Sequence, residues 1–160
     1  HIGVLGTEGT IQSQSYNIEI TKLHPHITVT GEACPMWVPL VENREFDKPG
    51  ADYFVKQHIE RILDKDHEID TLLLGCTHYP LLMDKIRKFT PDRISVIPQG
   101  KYVAESLKDY LHRHTEMDAR CTKNGSRKYF TTDSAKKFEL LASLFLNENI
   151  RAEKVIIDNI

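Results

Sequence analysis

The sequence predicts an α/β fold with a parallel sheet, on two observations. Apolar strand-like runs alternate along the chain with segments of helical periodicity, the order that βαβ units produce. One of those runs, Thr71-Leu72-Leu73-Leu74, reads as a fully buried strand, of the kind covered on both faces in parallel sheets.

Taken in order, Ile2-Gly3-Val4-Leu5-Gly6 is the first strand, and Gly6-Thr7-Glu8-Gly9-Thr10 turns it into a helix over about residues 10–21. Ile27-Thr28-Val29-Thr30 is the next strand. Val38, Leu40 and Val41 follow Cys34-Pro35 as a short helical or irregular piece. A firmer helix spans about 49–64, with Val55, Ile59 and Ile62 on one buried face at i, i+4, i+7. After the strand at 71–74, Pro80 suits the first position of a helix, where its missing N–H would be unpaired anyway. Leu82, Ile86 and Phe89 form the apolar face of that helix, and Ile94-Ser95-Val96-Ile97 is the strand that closes the series.

Pro98-Gln99-Gly100 marks the internal boundary, giving one α/β domain over 1–97 and the C-terminal part of another over 98–160. In the second, Val103, Leu107, Tyr110 and Leu111 make an amphipathic helix, and the polar stretch from His112 to Asn124 reads as a loop. A strand over Arg127–Thr132, a helix capped by Asp133 or Ser134 with Phe138, Leu141 and Phe145 on one face, and a strand at Val155-Ile156-Ile157 complete it. Two strands and two helices make a thin layer, so the first domain is expected to be largely complete and the second incomplete. His1 leads directly into a strand, and the chain reads as the middle of a longer protein whose N-terminal segment the last third needs as partner.

Composition narrows the function classes. A formal net charge of −2, with 28% charged residues of mixed sign, gives no reason to expect nucleic acid or an anionic membrane as partner. Three cysteines cannot all pair, and no apolar stretch approaches membrane-spanning length, so the chain reads as cytoplasmic with free thiols. Cys34, Cys76, His78 and Cys121 lack zinc-type spacing, and no metal is expected. His24, His26, His58, His67, His112 and His114 sit among polar or charged neighbours and are expected on the surface.

The chemistry concentrates at Leu73-Leu74-Gly75-Cys76-Thr77-His78-Tyr79-Pro80-Leu81-Leu82. Cys76 lies in a strand-to-helix turn, where unpaired backbone donors favour thiolate over thiol and a charged His78 would favour it further. A buried, inert cysteine at a strand end fits the same decapeptide. The Gly6–Thr10 turn places hydroxyls and helix-start N–H groups at the carboxyl end of a strand, where α/β sheets bind ligands, and suits a carboxylate or phosphate. An ordinary glycine turn capped by threonine fits it as well. Glu42, after an apolar stretch, can orient an imidazole such as His78 or simply face solvent. Cys34 has apolar neighbours and no base, and reads as a packed core thiol.

Three blocks occur in fixed order: Ile2-Gly3-Val4-Leu5-Gly6-Thr7 with Gly9-Thr10-Ile11, then Ala33-Cys34-Pro35 with Val38-Pro39-Leu40-Val41-Glu42, then the Cys76 decapeptide. Together they resemble the second half of glutamate racemase, of the aspartate/glutamate racemase family, over about residues 2–157. The resemblance implies Rossmann-like parallel layers and a cofactor-independent racemase interconverting L- and D-glutamate, with D-glutamate destined for peptidoglycan. In that family two cysteines flank the substrate Cα, one removing the proton as thiolate while the other returns one to the opposite face. Two bases on opposite faces invert the centre in one passage.

Carried across by motif, Cys76 matches the cysteine acting on L-glutamate and His78 the histidine assisting it. Thr77, Thr10 and Thr7 match substrate-binding positions, and Glu42 matches the carboxylate that orients the histidine. The family's other catalytic cysteine stands in a Cys-Asn-Thr block and its assisting aspartate in an Asp-Ser pair, and neither block occurs in this sequence. The chain alone is therefore expected to be inactive and to need the missing N-terminal half of the same enzyme. The family often forms homodimers by varying modes. Pro98-Gln99-Gly100 also departs from the acidic or serine-bearing versions expected at that turn. A racemase acting on aspartate, a non-catalytic amino-acid-binding fragment and, more weakly, a cysteine hydrolase are the alternative readings.

Overall fold

Four parallel strands in the order β2-β1-β3-β4 build the first sheet: β1 Ile2–Gly6, β2 Val29–Ala33, β3 Thr71–Leu74 and β4 Ser95–Pro98. The computed structural model describes residues 1–157. These fall into two compact units, His1–Ser106 and the region from Leu107 onward.

In the first unit, β1 is the pivot. It pairs on one side with β2, Gly6 opposite Ala33, and on the other with β3, Leu5 opposite Leu74. The strand order therefore reverses between β1 and β3, and a crevice opens beyond their carboxyl ends at such a switch point.

Helices α1 Glu8–Gln12 and α2 Ser15–Leu23 link β1 to β2. One continuous helix was expected here. The chain breaks because Ser13 Oγ donates to the Thr10 carbonyl and pairs with Ser15 Oγ, while Gln14 takes a left-handed φ of 53°. Strand β2 begins at Val29 rather than Ile27, because Ile27 N–H is turned back onto the His24 carbonyl.

Helix α3 Trp37–Glu42 and helix α4 Pro49–Lys65 join β2 to β3. Val55, Ile59 and Ile62 are fully buried on α4, as their spacing predicts. The same face carries His58, which is 4% exposed and not a surface residue as expected. Its Nδ1 lies 2.7 Å from Glu32 Oε1, and Lys65 Nζ donates to Glu32 Oε2 at 2.6 Å. The buried Glu32 carboxylate, on the edge strand β2, is retained because two basic side chains satisfy both its oxygens.

A 3-10 turn over Tyr79–Leu82 and helix α5 Met83–Phe89 follow β3, with Pro80 at the start of the turn. After β4, helix α6 Gln99–Arg113 starts at once, so Pro98-Gln99-Gly100 is a strand end and a helix start rather than a turn. The sheet ends at Pro98, and the compact unit continues through the first turns of α6 to Ser106.

The second unit contains helix α7 Thr115–Arg120, strand β5 Tyr129–Thr131, helix α8 Ala135–Leu146 and strand β6 Ala152–Lys154. Helix α7 replaces part of the loop expected from His112 to Asn124. It has no apolar stripe to announce it, but Glu116 and Asp118 in its first turn suit the positive helix end. Ser134 caps α8 by accepting from Lys137 N–H, one of the two caps expected. Strand β6 pairs in parallel with β5 and lies before the expected Val155-Ile156-Ile157 run. The left-handed Asn147 ends α8 early, and Glu139 Oε1 accepts the Ala152 N–H, which fixes the strand start there.

Candidate active site

Gly75 continues the pairing one residue past β3, its N–H donating to the Leu5 carbonyl at 2.7 Å. A side chain at this position would place Cβ 3.1 Å from that carbonyl oxygen and 3.2 Å from the Tyr16 ring. Any side chain would press on both neighbours, which glycine avoids, and the next residue, Cys76, is delivered to the carboxyl edge of the sheet beside β1.

Cys76 is half-buried, with Sγ 3.8 Å from His78 Nδ1. On the other side of the ring, His78 Nε2 lies 3.5 Å from Glu42 Oε1 at the end of α3. Thiol, imidazole and carboxylate thus stand in a line. Glu42 favours the tautomer with its proton on Nε2, and the Nδ1 lone pair is then turned to the thiol, so a proton can pass between Sγ and Nδ1.

The line is held from behind by Tyr79. This fully buried residue donates its hydroxyl to the Cys34 carbonyl at 3.2 Å, and its N–H to the Cys76 carbonyl at 3.3 Å. Its ring meets Trp37, the first residue of α3, edge-on with centroids 4.8 Å apart. The contact seats α3, and with it Glu42, against the turn that carries His78.

Thr7 caps α1, its Oγ1 accepting from Thr10 N–H at 3.3 Å and lying 2.9 Å from Thr10 Oγ1. One of the two hydroxyl hydrogens is used between them, which leaves the other for a ligand. Thr10 also flanks Gly75, its Cγ2 3.5 Å from where a Cβ would stand. The two threonines and Cys76 therefore share the β1/β3 switch point.

A cleft of about 520 Å³ opens beside Cys76 and Thr77, walled by Tyr16, Gly75, Gln99 and Val103 among others. Thr7, Thr10, His78 and Glu42 do not line it. Tyr16 and Gln99 escaped the sequence reading. An aromatic residue just after a Ser-Gln-Ser break was the available signal for Tyr16, and the departure at Pro98-Gln99-Gly100 for Gln99.

Cys34 is fully buried, and burial together with the Glu32 charge pushes its thiol far above the ordinary thiol range. It is a core group. Cys121, exposed in the second unit, donates to the Met117 carbonyl. Among the described residues no group of three or more His, Cys, Asp or Glu is placed to hold a metal ion. No helix of the described residues is long and apolar enough to cross a membrane.

No family model matches the chain. Its sequence is similar to that of a glutamate racemase from Persephonella marina, 41% identical over 159 residues, covering 99% of this chain and 57% of that protein. Its fold is similar to the crystal structure of a glutamate racemase isoform from Bacillus anthracis, with a TM-score of 0.85 and 35% identity, covering 98% of this chain and 57% of that one. A glutamate racemase from Francisella tularensis, solved in complex with D-glutamate, aligns with a TM-score of 0.83 and 26% identity over 98% of this chain and 57% of its own. The chain thus spans little more than half the length of the relatives it matches.

Proposed function

We propose that the chain is part of a glutamate racemase, the protein its sequence and fold are similar to, and that it carries the Cys76 half of a cofactor-independent enzyme that interconverts L- and D-glutamate. The observation that carries this reading is the line of Cys76, His78 and Glu42 at the carboxyl edge of β1 and β3.

In this scheme Cys76, as thiolate, removes the Cα proton of L-glutamate and passes it toward His78, which Glu42 orients. A second acid on the opposite face of Cα, supplied by the rest of the parent protein, returns a proton and inverts the centre. Cα of an amino acid is a weak carbon acid, so hydrogen bonds to the substrate carboxylates must lower the barrier, and Thr77, Thr10 and Thr7 are the residues for that task. Residues 1–97 supply the parent's second α/β domain, which carries Cys76, and residues 98–160 are the C-terminal part of its first, which the missing N-terminal half completes. The chain alone does not racemise. The product serves as the D-glutamate of peptidoglycan, in the cytoplasm.

The test is deuterium incorporation at Cα of L- and D-glutamate in D₂O, with this chain alone and mixed with a supplied N-terminal half. Exchange in the mixture only, lost with Cys76→Ala, is the expected result. No exchange from glutamate in a folded mixture that exchanges aspartate would overturn the substrate. No exchange from either would leave an amino-acid-binding protein.

A further inference from the structure

Gln99 lies in the Pro98-Gln99-Gly100 segment, which departs from the acidic or serine-bearing versions that the family resemblance leads one to expect, and its side chain makes two contacts through one amide nitrogen. Its Nε2 donates to Tyr16 Oη at 2.6 Å and to the Leu74 carbonyl at 2.8 Å. The Leu74 carbonyl only accepts, so the amide nitrogen must be the end that faces it. Both hydrogens of one NH₂ group are engaged. A serine hydroxyl has one hydrogen to give and an ionised aspartate none.

What those bonds join is the frame of the thiol turn. Leu74 is the last residue of β3, two before Cys76. Tyr16, near the start of α2, lays its ring against Gly75, and the left-handed Gln14 aims that helix so that it does. Gln99 opens α6 and lines the same cleft as Cys76. Three separate elements, α2, β3 and α6, thus meet on one amide group.

We propose that Gln99 is a positioning residue for Cys76: its amide pins the end of β3 to α2 and thereby fixes the turn that presents the thiol to His78. The proposal rests on reading Cys76 and His78 as a proton-exchanging pair. Tyr16 is the second half of the device.

The experiment is peptide-resolved alkylation of the folded full chain by iodoacetamide at pH 7. The other two cysteines supply the controls, since exposed Cys121 sets the rate of an unassisted thiol and buried Cys34 reacts only when the first unit opens. A histidine beside a thiol speeds alkylation by favouring the thiolate. Gln99→Leu should lower the Cys76 rate relative to Cys121 by about fivefold, and His78→Asn should do the same, while the double variant falls no further, because both substitutions act through the one Cys76–His78 pair and residues of one network couple. Tyr16→Phe keeps the ring against Gly75 and removes one hydroxyl, with a smaller loss expected. It serves as the decisive variant if Gln99→Leu exposes Cys34. An unchanged Cys76 rate in Gln99→Leu and Tyr16→Phe with Cys34 protected would overturn the proposal, as would losses that simply multiply in the double variant. Intact coupling without Cα exchange in the complemented enzyme would instead overturn the racemase reading and leave this one standing.

Discussion

Cys34 and Cys76 are separated in reactivity by surroundings alone. Cys34, with no exposed surface and a carboxylate beside it, should resist alkylation until the first unit unfolds, which mass spectrometry across a urea series will read directly. On the proposed racemase reading, Cys76→Ser and His78→Asn should lower Cα exchange in the complemented protein by at least about 10³-fold and about 10²-fold, magnitudes typical of losing a base and its assistant. Glu32 offers a test by pH. Burial alone would raise its carboxyl, but the bonds from Lys65 and His58 outweigh that and hold it below the ordinary 4.5. A depressed carboxylate stabilises the fold above its unfolded value, and that contribution is lost as pH falls through its folded value. Glu32→Gln should therefore cost about 2–3 kcal/mol in denaturant unfolding at pH 7. The gap to the unsubstituted protein should close as pH drops below 4.5. Of these groups, the core place of Cys34 and the turn between strand and helix that holds Cys76 were legible in the sequence, because chain neighbours decide both. His58 was not, although the spacing that assigned Val55, Ile59 and Ile62 to the core puts position 58 on the same face. Its polar neighbours in sequence concealed a carboxylate partner 26 residues away.

At the level of elements, the passage at Gly75 is the most constrained point of the site. The Leu5 carbonyl that a Cβ would strike is itself held by the Gly75 N–H, so it cannot step aside without breaking the pairing of β1 and β3. Gly75→Ala should cost about 1–3 kcal/mol, the usual range for overpacking, measured by urea unfolding. Cys76 should then lose its register with His78. Strands β1 and β3 and helix α4 were readable from periodicity because both faces of a buried strand, and one face of a long helix, must be apolar. The break between α1 and α2 and the start of β6 were not. Each is set by a side chain hydrogen-bonding to backbone, Ser13 in one case and Glu139 in the other, and such bonds leave no hydrophobic pattern.

For the molecule as a whole, the two units differ sharply in how much apolar surface they remove from water. The first buries Leu5, Trp37, Ile59, Ile62, Leu72 and Tyr79 completely, whereas in the second, among the described residues, Ile150 is the apolar side chain that reaches the buried class. Amide hydrogen exchange should accordingly be slowest in β1 and β3 and faster by orders of magnitude in β5 and α8, as sparse packing permits local opening. The parallel α/β layering was legible from the alternation of elements. The thinness of the last third followed from its few strands. Trp37, finally, is the chain's one tryptophan, and it sits wholly within the first unit, edge-on to both Tyr79 and His58. Its emission is therefore a private optical signal of the unit that bears Cys76, blind to the other. Circular dichroism sees the helices of both. A fluorescence melt that falls at higher temperature than the circular dichroism melt would show that the thiol-bearing layer keeps its shape after the rest has gone.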